Sequence, residues 1–221
     1  MTLEFFGVTL HEADVALTDV GLAVLGSWCA RRLWQRRAGC VLRYDGALIM
    51  GALAAAALFG AIFHAFFPAK TSTRAGFLMW MPVAASIAVA SAAMLTASLR
   101  RIFRLSDVAR RLVVSVYAVA FVLAVLFIDE SYGTIVIFYG PALLLLLAVG
   151  VRESLRGADP AWRSLTAGLA LSVIAALLQQ ARVIVHPVYF DHNALYHVVQ
   201  SIALVLIYRG MAQARNDRAA C

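Results

Sequence analysis

From Gly46 to Ala69 the chain carries no charged side chain, and the run from Ala75 to Leu99 is equally free of charge. A helix needs roughly 20 apolar residues to cross the hydrocarbon core of a bilayer. Two such runs in succession therefore place this chain in a membrane. Five further segments qualify or come close, so that predicted spans lie at about 15–30, 46–68, 75–99, 112–128, 131–151, 164–182 and 193–210. The expected fold is all-α: one domain over residues 1–221, a polytopic protein of seven transmembrane helices joined by short loops. Composition agrees, with 63% hydrophobic and 14% charged residues. A soluble domain would carry about 25% charged residues.

The arginines set the orientation. Arg31, Arg32, Arg36, Arg37 and Arg43 follow the first span, and Arg100, Arg101, Arg104, Arg110 and Arg111 follow the third. Arg152, Arg156 and Arg163 follow the fifth, and Arg209, Arg215 and Arg218 the last. Only Lys70, Arg74 and Arg182 fall on the opposite side. Basic loops stay in the cytoplasm, which puts the C-terminus there and the N-terminus outside, an arrangement that needs an odd number of spans. The net charge of +7 is thus a topology signal, and no nucleic-acid partner is expected. The first residues, with Glu4, Glu12 and Asp14, lack the basic start of a signal peptide. A bacterial inner (plasma) membrane is the expected location, with membrane lipids as neighbours. Cys29, Cys40 and Cys221 form no C-x-x-C motif, so neither a disulfide framework nor a thiolate zinc site is expected. The seventh span has no lysine, which excludes a retinal Schiff base there.

All five histidines, His11, His64, His186, His192 and His197, fall on the outer side with the acidic residues Glu4, Glu12, Asp14, Asp19, Asp129, Glu130 and Asp191. Ionisable groups inside a bilayer are costly and mark functional sites by default. Asp19 on the first helix, His64 on the second and His197 on the last each lie roughly 5–8 Å below the outer end of their helix, at about 1.5 Å per residue. The three thus share a layer. Asn193, His197, Gln200 and Ser201 recur at helical spacing, a polar stripe that must face the bundle interior. Two imidazoles, a carboxylate and an open position make the ligand set of a catalytic zinc. The expected ligands are His64, His197 and Asp19, with His192 at the mouth as a further candidate. Asp19 or Glu12 would act as catalytic base, with Asp14 and Asp191 also in reach of that role. Asn193, Gln200, Ser201 and Thr18 would hold the ligands in place through hydrogen bonds. Each residue also has a plain structural reading: a histidine near a helix end bonds a carbonyl or reaches for the interface, and Asp19 pairs with Arg182 or accepts from Thr18 or Gln179. Gln179 and Gln180 read either as lining the same cavity or, more simply, as bonding backbone. Tyr132, Tyr139, Tyr189, Tyr196 and Trp80 read chiefly as an interfacial aromatic belt.

With Phe63-His64-Ala65-Phe66-Phe67-Pro68 on the second span and Asp191-His192-Asn193-Ala194-Leu195-Tyr196-His197 opening the last, the chain resembles the CREST superfamily of seven-helix hydrolases, the alkaline ceramidase and adiponectin-receptor type. The resemblance implies zinc-dependent cleavage of a lipid amide or ester. That superfamily carries a serine four residues before its helix-two histidine, where this chain has Gly60, and an H-x-x-x-H on helix seven, where only His197 matches. Asp19 is the carboxylate expected to substitute. Thr18-Asp19, Phe63 to Phe66 and Asp191 to His197 are also similar to T-D, Y-H-G-F and N-H-N-x-x-Y-H in uncharacterised bacterial seven-helix proteins. The expected function is a zinc-dependent membrane hydrolase acting from the outer face. Its alternatives are a non-enzymatic sensor or binding protein with an outward polar pocket, and a b-type haem protein ligated by His64 and His197.

Overall fold

The computed structural model describes residues 2–103, 105–157, 159–186 and 189–214; Arg104, Arg215, Arg218 and Cys221, used above, lie outside the described residues. Seven helices follow in order: α1 Ala13–Gln35, α2 Val41–Phe66, α3 Arg74–Ile102, α4 Asp107–Phe127, α5 Tyr132–Leu155, α6 Ala161–Gln180 and α7 His192–Gln213. All seven are long and apolar enough to cross a membrane. The chain is an all-α, seven-helix integral membrane protein.

At the inner end the helices run further than the apolar segments. α1 continues through Arg31 and Arg32 to Gln35, α3 through Arg100 and Arg101 to Ile102, and α2 begins at Val41. Hydropathy marks only the hydrocarbon layer, whereas helix hydrogen bonding continues into the headgroups, where arginine stems lie along apolar surface and carry the charge outward. At the outer end α2 stops at Phe66, because Pro68 disfavours a helical Phe67, whose ψ is 69°. α7 starts one residue earlier than expected, and the cause is a cap. Asp191 Oδ1 accepts from the backbone N–H of Asn193 at 2.8 Å and of Ala194 at 2.9 Å, satisfying two donors that a helix start leaves open.

Helix packing closes a ring in the order α1, α2, α3, α5, α6, α7 and back to α1, with α2 also touching α7. α4 stands outside the ring against α3 and α5. Its exposed Val108, Leu112, Val116 and Val119 form a lipid-facing stripe. Glycine sets the closest approaches. A Cβ at Gly26 of α1 would lie 3.0 Å from Ala54 Cβ of α2, and one at Gly168 of α6 would lie 2.7 Å from the Ile207 nitrogen of α7. Leu33, Ile49, Met50, Met94, Leu146, Leu165 and Met211 are buried in the core.

One element was not expected. Ahead of α1, strands β1 (Leu3–Phe5) and β2 (Val8–Leu10) pair antiparallel, with Phe5 opposite Val8. The two-residue turn has φ 49° at Phe6 and 77° at Gly7, the positive pair that a type I′ hairpin requires. Past the hairpin, the His11 N–H donates to the Ala65 carbonyl at 2.9 Å and fixes the entry to α1 beside the end of α2.

Candidate functional site

The outer half of the ring encloses a cavity of about 290 Å³, near the lower end of the range for ligand pockets, about 300–1,000 Å³. Asp19, His64 and His197 all line it. The deep end is apolar, built by Leu22 of α1, Leu53, Ala56 and Ala57 of α2, Val83 and Ile87 of α3 and Leu204 of α7. Around and above this floor stand Asp19, His64, Lys70, Tyr132, Gln179, Asn193, Tyr196, His197 and Gln200. The cavity runs from the Lys70–Asn193 level to Leu53 and Leu204, roughly 16 Å of helix rise below His64 and Asn193. That is about half the thickness of the hydrocarbon core.

Within the cavity wall Asp19 and His197 are partners. Asp19 Oδ1 lies 3.2 Å from His197 Nε2, and His197 Nδ1 lies 3.0 Å from Thr18 Oγ1. Asp19 is 4% exposed and His197 7%, so each depends chiefly on the other for its hydrogen bonding. Thr18 Oγ1 is also within 3.0 Å of the Asp14 carbonyl and 2.9 Å of the Val15 carbonyl. Its single hydrogen can go to only one acceptor. When it goes to a carbonyl, Thr18 accepts from His197 Nδ1–H, Nε2 carries the lone pair, and the shared proton sits on Asp19. When it goes to Nδ1, the shared proton sits on Nε2. The first state (neutral His197, protonated Asp19) holds one proton more than the second (neutral His197, ionised Asp19), so the pair passes between them by releasing or taking up one proton, shifting the shared proton and rotating one hydroxyl.

Gly60 makes this geometry possible. A Cβ there would lie 2.9 Å from Asp19 Oδ2. α2 therefore approaches closely, and Oδ2 is held at the cavity wall. Gly60→Ala should displace the carboxylate. A misplacement of about 1 Å can cost 10²-fold in rate, so we expect a loss of that order in any activity of this site. Gly140, where a Cβ meets nothing within 4 Å, is the matched control.

The opposite wall is a hydrogen-bonded chain. Tyr132 donates to Gln179 Oε1 at 3.0 Å, and Gln179 Nε2 donates to Asn193 Oδ1 at 2.9 Å. Gln200 Nε2 donates to Ser172 Oγ at 3.1 Å. Gln179 is thus a cavity residue and not a backbone-bonding one. Tyr132, Tyr196 and Trp80 also line the cavity. The signal for the two tyrosines was their placement at the outer ends of α5 and α7 opposite Gln179, which hydropathy does not read. Ser201 returns its hydroxyl to the His197 carbonyl at 2.8 Å and takes no part. Asp19 pairs with His197 and not with Arg182.

His64 has a different partner. Its Nδ1 bonds Glu12 Oε2, and Glu12 Oε1 meets Lys70 Nζ at 3.0 Å. The hydrogen bond from His64 holds the Glu12 carboxyl at about 2, below its ordinary 4.5, and Lys70 lowers it further against a burial effect that raises it. A depressed folded pKa contributes stability that is complete above about 4.5 and lost as pH falls towards 2. Acidification across that window should therefore lower the melting temperature of the wild type more than that of Glu12→Gln. Equal losses in the two proteins would contradict the contact.

Among the described residues no three His, Cys, Asp or Glu side chains form a group able to hold a metal ion. Both ring nitrogens of His197 are engaged, and Nδ1 of His64 is taken by Glu12. His192 does not line the cavity and sits 3.9 Å from Asp191 Oδ2. In this arrangement Asp19 and His197 face one another directly, and that contact is what the site offers to acid–base chemistry.

Residues 15–216 match a family described as a family of unknown function, DUF6962. The chain belongs to the DUF6962 family. No curated protein and no solved structure matches it. Within the family match lie Asp19, His64 and His197; Glu12 precedes it.

Proposed function

We propose that this protein is a membrane-embedded hydrolase that cleaves an amide or ester of a lipid or small amphiphile entering from the outer face, with Asp19 and His197 as its acid–base pair. The observation that carries the reading is the Asp19–His197 contact, set in the wall of a cavity whose floor is apolar. Such a cavity accepts a chain below and holds a polar bond beside the pair. The resemblance to the CREST hydrolases supports the same reaction class. Here the Asp19 carboxylate lies against Gly60, the position where that superfamily carries its helix-two serine. The proposed location is the bacterial inner membrane.

The chemistry needs one proton moved twice. A water enters beside Asp19 Oδ2, and the Asp19–His197 pair takes its proton as its oxygen bonds to the acyl carbon. The pair then returns that proton to the departing nitrogen or oxygen as the acyl bond breaks. The products are a carboxylic acid and an amine or alcohol, and the pair ends as it began. General acid–base catalysis of this kind contributes about 10²–10⁴-fold.

The test is release of fatty acid from a panel of acyl amides and esters by the purified protein in lipid nanodiscs. Turnover that disappears in His197→Gln supports the reading. Ligand-dependent thermal stabilisation with no turnover on any acyl substrate would leave a binding or sensing protein, a reading favoured by the hydrogen-bonded wall of Tyr132, Gln179 and Asn193. Stoichiometric zinc in the same preparation would recast His64 and His197 as ligands and replace the metal-free route.

A further inference from the structure

At the mouth of the cavity a carboxylate is already bound. His64 and Lys70 both line the cavity, they come from α2 and the turn that follows it, and they converge on the two oxygens of one carboxyl group, that of Glu12. Glu12 sits at the N-cap of α1 without capping it, since its side chain makes no bond to the helix N-terminus. It is held instead by the two cationic or hydrogen-bonding partners across the mouth. Its backbone has φ 43° and that of Lys70 has φ 52°, the left-handed region that side chains other than glycine rarely adopt. Strained backbone at such a point is found where the surroundings over-determine a functional geometry. The lowered carboxyl pKa of Glu12 shows that this spot favours a carboxylate anion, the His64 hydrogen bond contributing most.

We propose that His64 and Lys70 form a carboxylate-binding subsite at the cavity mouth, that Glu12 occupies it as a built-in surrogate, and that the ligand it stands in for is an amphiphile ending in a carboxylate. The proposal rests on the cavity described above as a ligand pocket, and it adds the charge of the ligand's polar end. Exchange of one carboxylate for another changes little in local energy. The tethered Glu12 has the advantage of high effective concentration. A soluble carboxylate such as acetate therefore cannot displace it. A carboxylate attached to an alkyl chain can, because burial of the chain against Leu53, Ala57, Ile87 and Leu204 supplies the difference.

The experiment uses the full chain in nanodiscs, with empty nanodiscs as the blank, and calorimetric titration with decanoate, decanol and acetate. The expected order is decanoate bound at least about tenfold more tightly than decanol, with no binding of acetate. Glu12→Gln, which removes the surrogate and keeps its length, should tighten decanoate by about tenfold or more and leave decanol unchanged. Lys70→Met should erase the preference for decanoate over decanol. The proposal is overturned if decanol binds as well as decanoate to the wild type, or if Lys70→Met keeps the preference, and these two readings stand even where Glu12→Gln does not fold. No tightening in a folded Glu12→Gln overturns it as well. None of the three probes has a cleavable acyl bond. Selective carboxylate binding without any turnover on acyl substrates would thus remove the hydrolase and keep the subsite, and turnover on neutral amphiphiles without carboxylate selectivity would do the reverse.

Discussion

Asp19→Asn should lower turnover of any acyl substrate by about 10²–10⁴-fold, the contribution of a positioned general acid–base group, and leave the bundle folded. Asparagine keeps the shape of aspartate and its fit against Gly60, where the space left by the missing Cβ is what admits the side chain. It also keeps a hydrogen-bonding atom facing His197 Nε2, 3.2 Å away in the native pair. What it cannot do is take up and return a proton. The loss should therefore appear in kcat, with KM little changed, because the interaction removed is one made in the transition state. His197→Gln should cost a similar factor, and the double variant should be scarcely worse than either, as groups acting as one unit are strongly non-additive. Asp19→Leu is a different experiment. It strands the buried His197 ring without its partner, and an unsatisfied buried polar group costs about 1–3 kcal/mol, so its inactivity would mix chemistry with folding. Full activity in a folded Asp19→Asn protein would remove the pair from the mechanism.

The spans of this fold are legible because the bilayer imposes one rule on every helix, a long apolar run, and the runs from Gly46 and from Ala75 obey it without exception. Their inner ends are less legible, since the rule stops at the headgroups while the helix does not. Asp45 shows the consequence. Read as the residue just before the second span, it is instead inside α2, 3% exposed, and paired with Arg100 of α3. A carboxylate at the edge of one apolar run and an arginine at the edge of the next, at matching depth, was the signal available. The layer shared by Asp19, His64 and His197 follows from helix rise alone, and all three do line one cavity. Which of them touch does not follow from rise. It depends on how far each helix is rotated, and on competitors from outside the helices. Asp19 faces α7 because Gly60 admits its carboxylate, and His64 turns to Glu12 because the loop after the hairpin delivers Glu12 to it. Neither contact has a sequence period. The hairpin itself had only the Phe6-Gly7 turn as a signal, too short to weigh against a membrane fold.

Gly210→Leu should be the most destabilising single change at the inner end of the bundle, costing about 3 kcal/mol or more, the upper range for an overpacked core. A Cβ at this position would lie 2.6 Å from the Leu165 nitrogen and 2.8 Å from the Ala161 carbonyl oxygen, both backbone atoms of α6. A clashing side chain can change rotamer; a clashing backbone can yield only by moving its helix. Gly168 repeats the arrangement from the other side, where a Cβ would lie 2.8 Å from the Ala203 carbonyl oxygen of α7. The two glycines thus lock α6 to α7 at two levels, in the manner of small residues that let membrane helices pack backbone to backbone. The site depends on that lock. Gln200 reaches Ser172 of α6, and Asn193 accepts from Gln179 of α6, so α7 is held at the azimuth that turns His197 toward Asp19 of α1. Forcing α7 off α6 at Gly210 would be felt at His197, roughly 20 Å away by helix rise. Thermal unfolding in detergent, followed by size-exclusion and intrinsic fluorescence, should show a lower midpoint for Gly210→Leu and for Gly168→Leu, with substrate turnover falling in parallel. Gly140→Leu, with open space around its Cβ, should melt like the wild type. If Gly210→Leu did so too, α6 and α7 would not be in backbone contact, and the placement of His197 would need another cause.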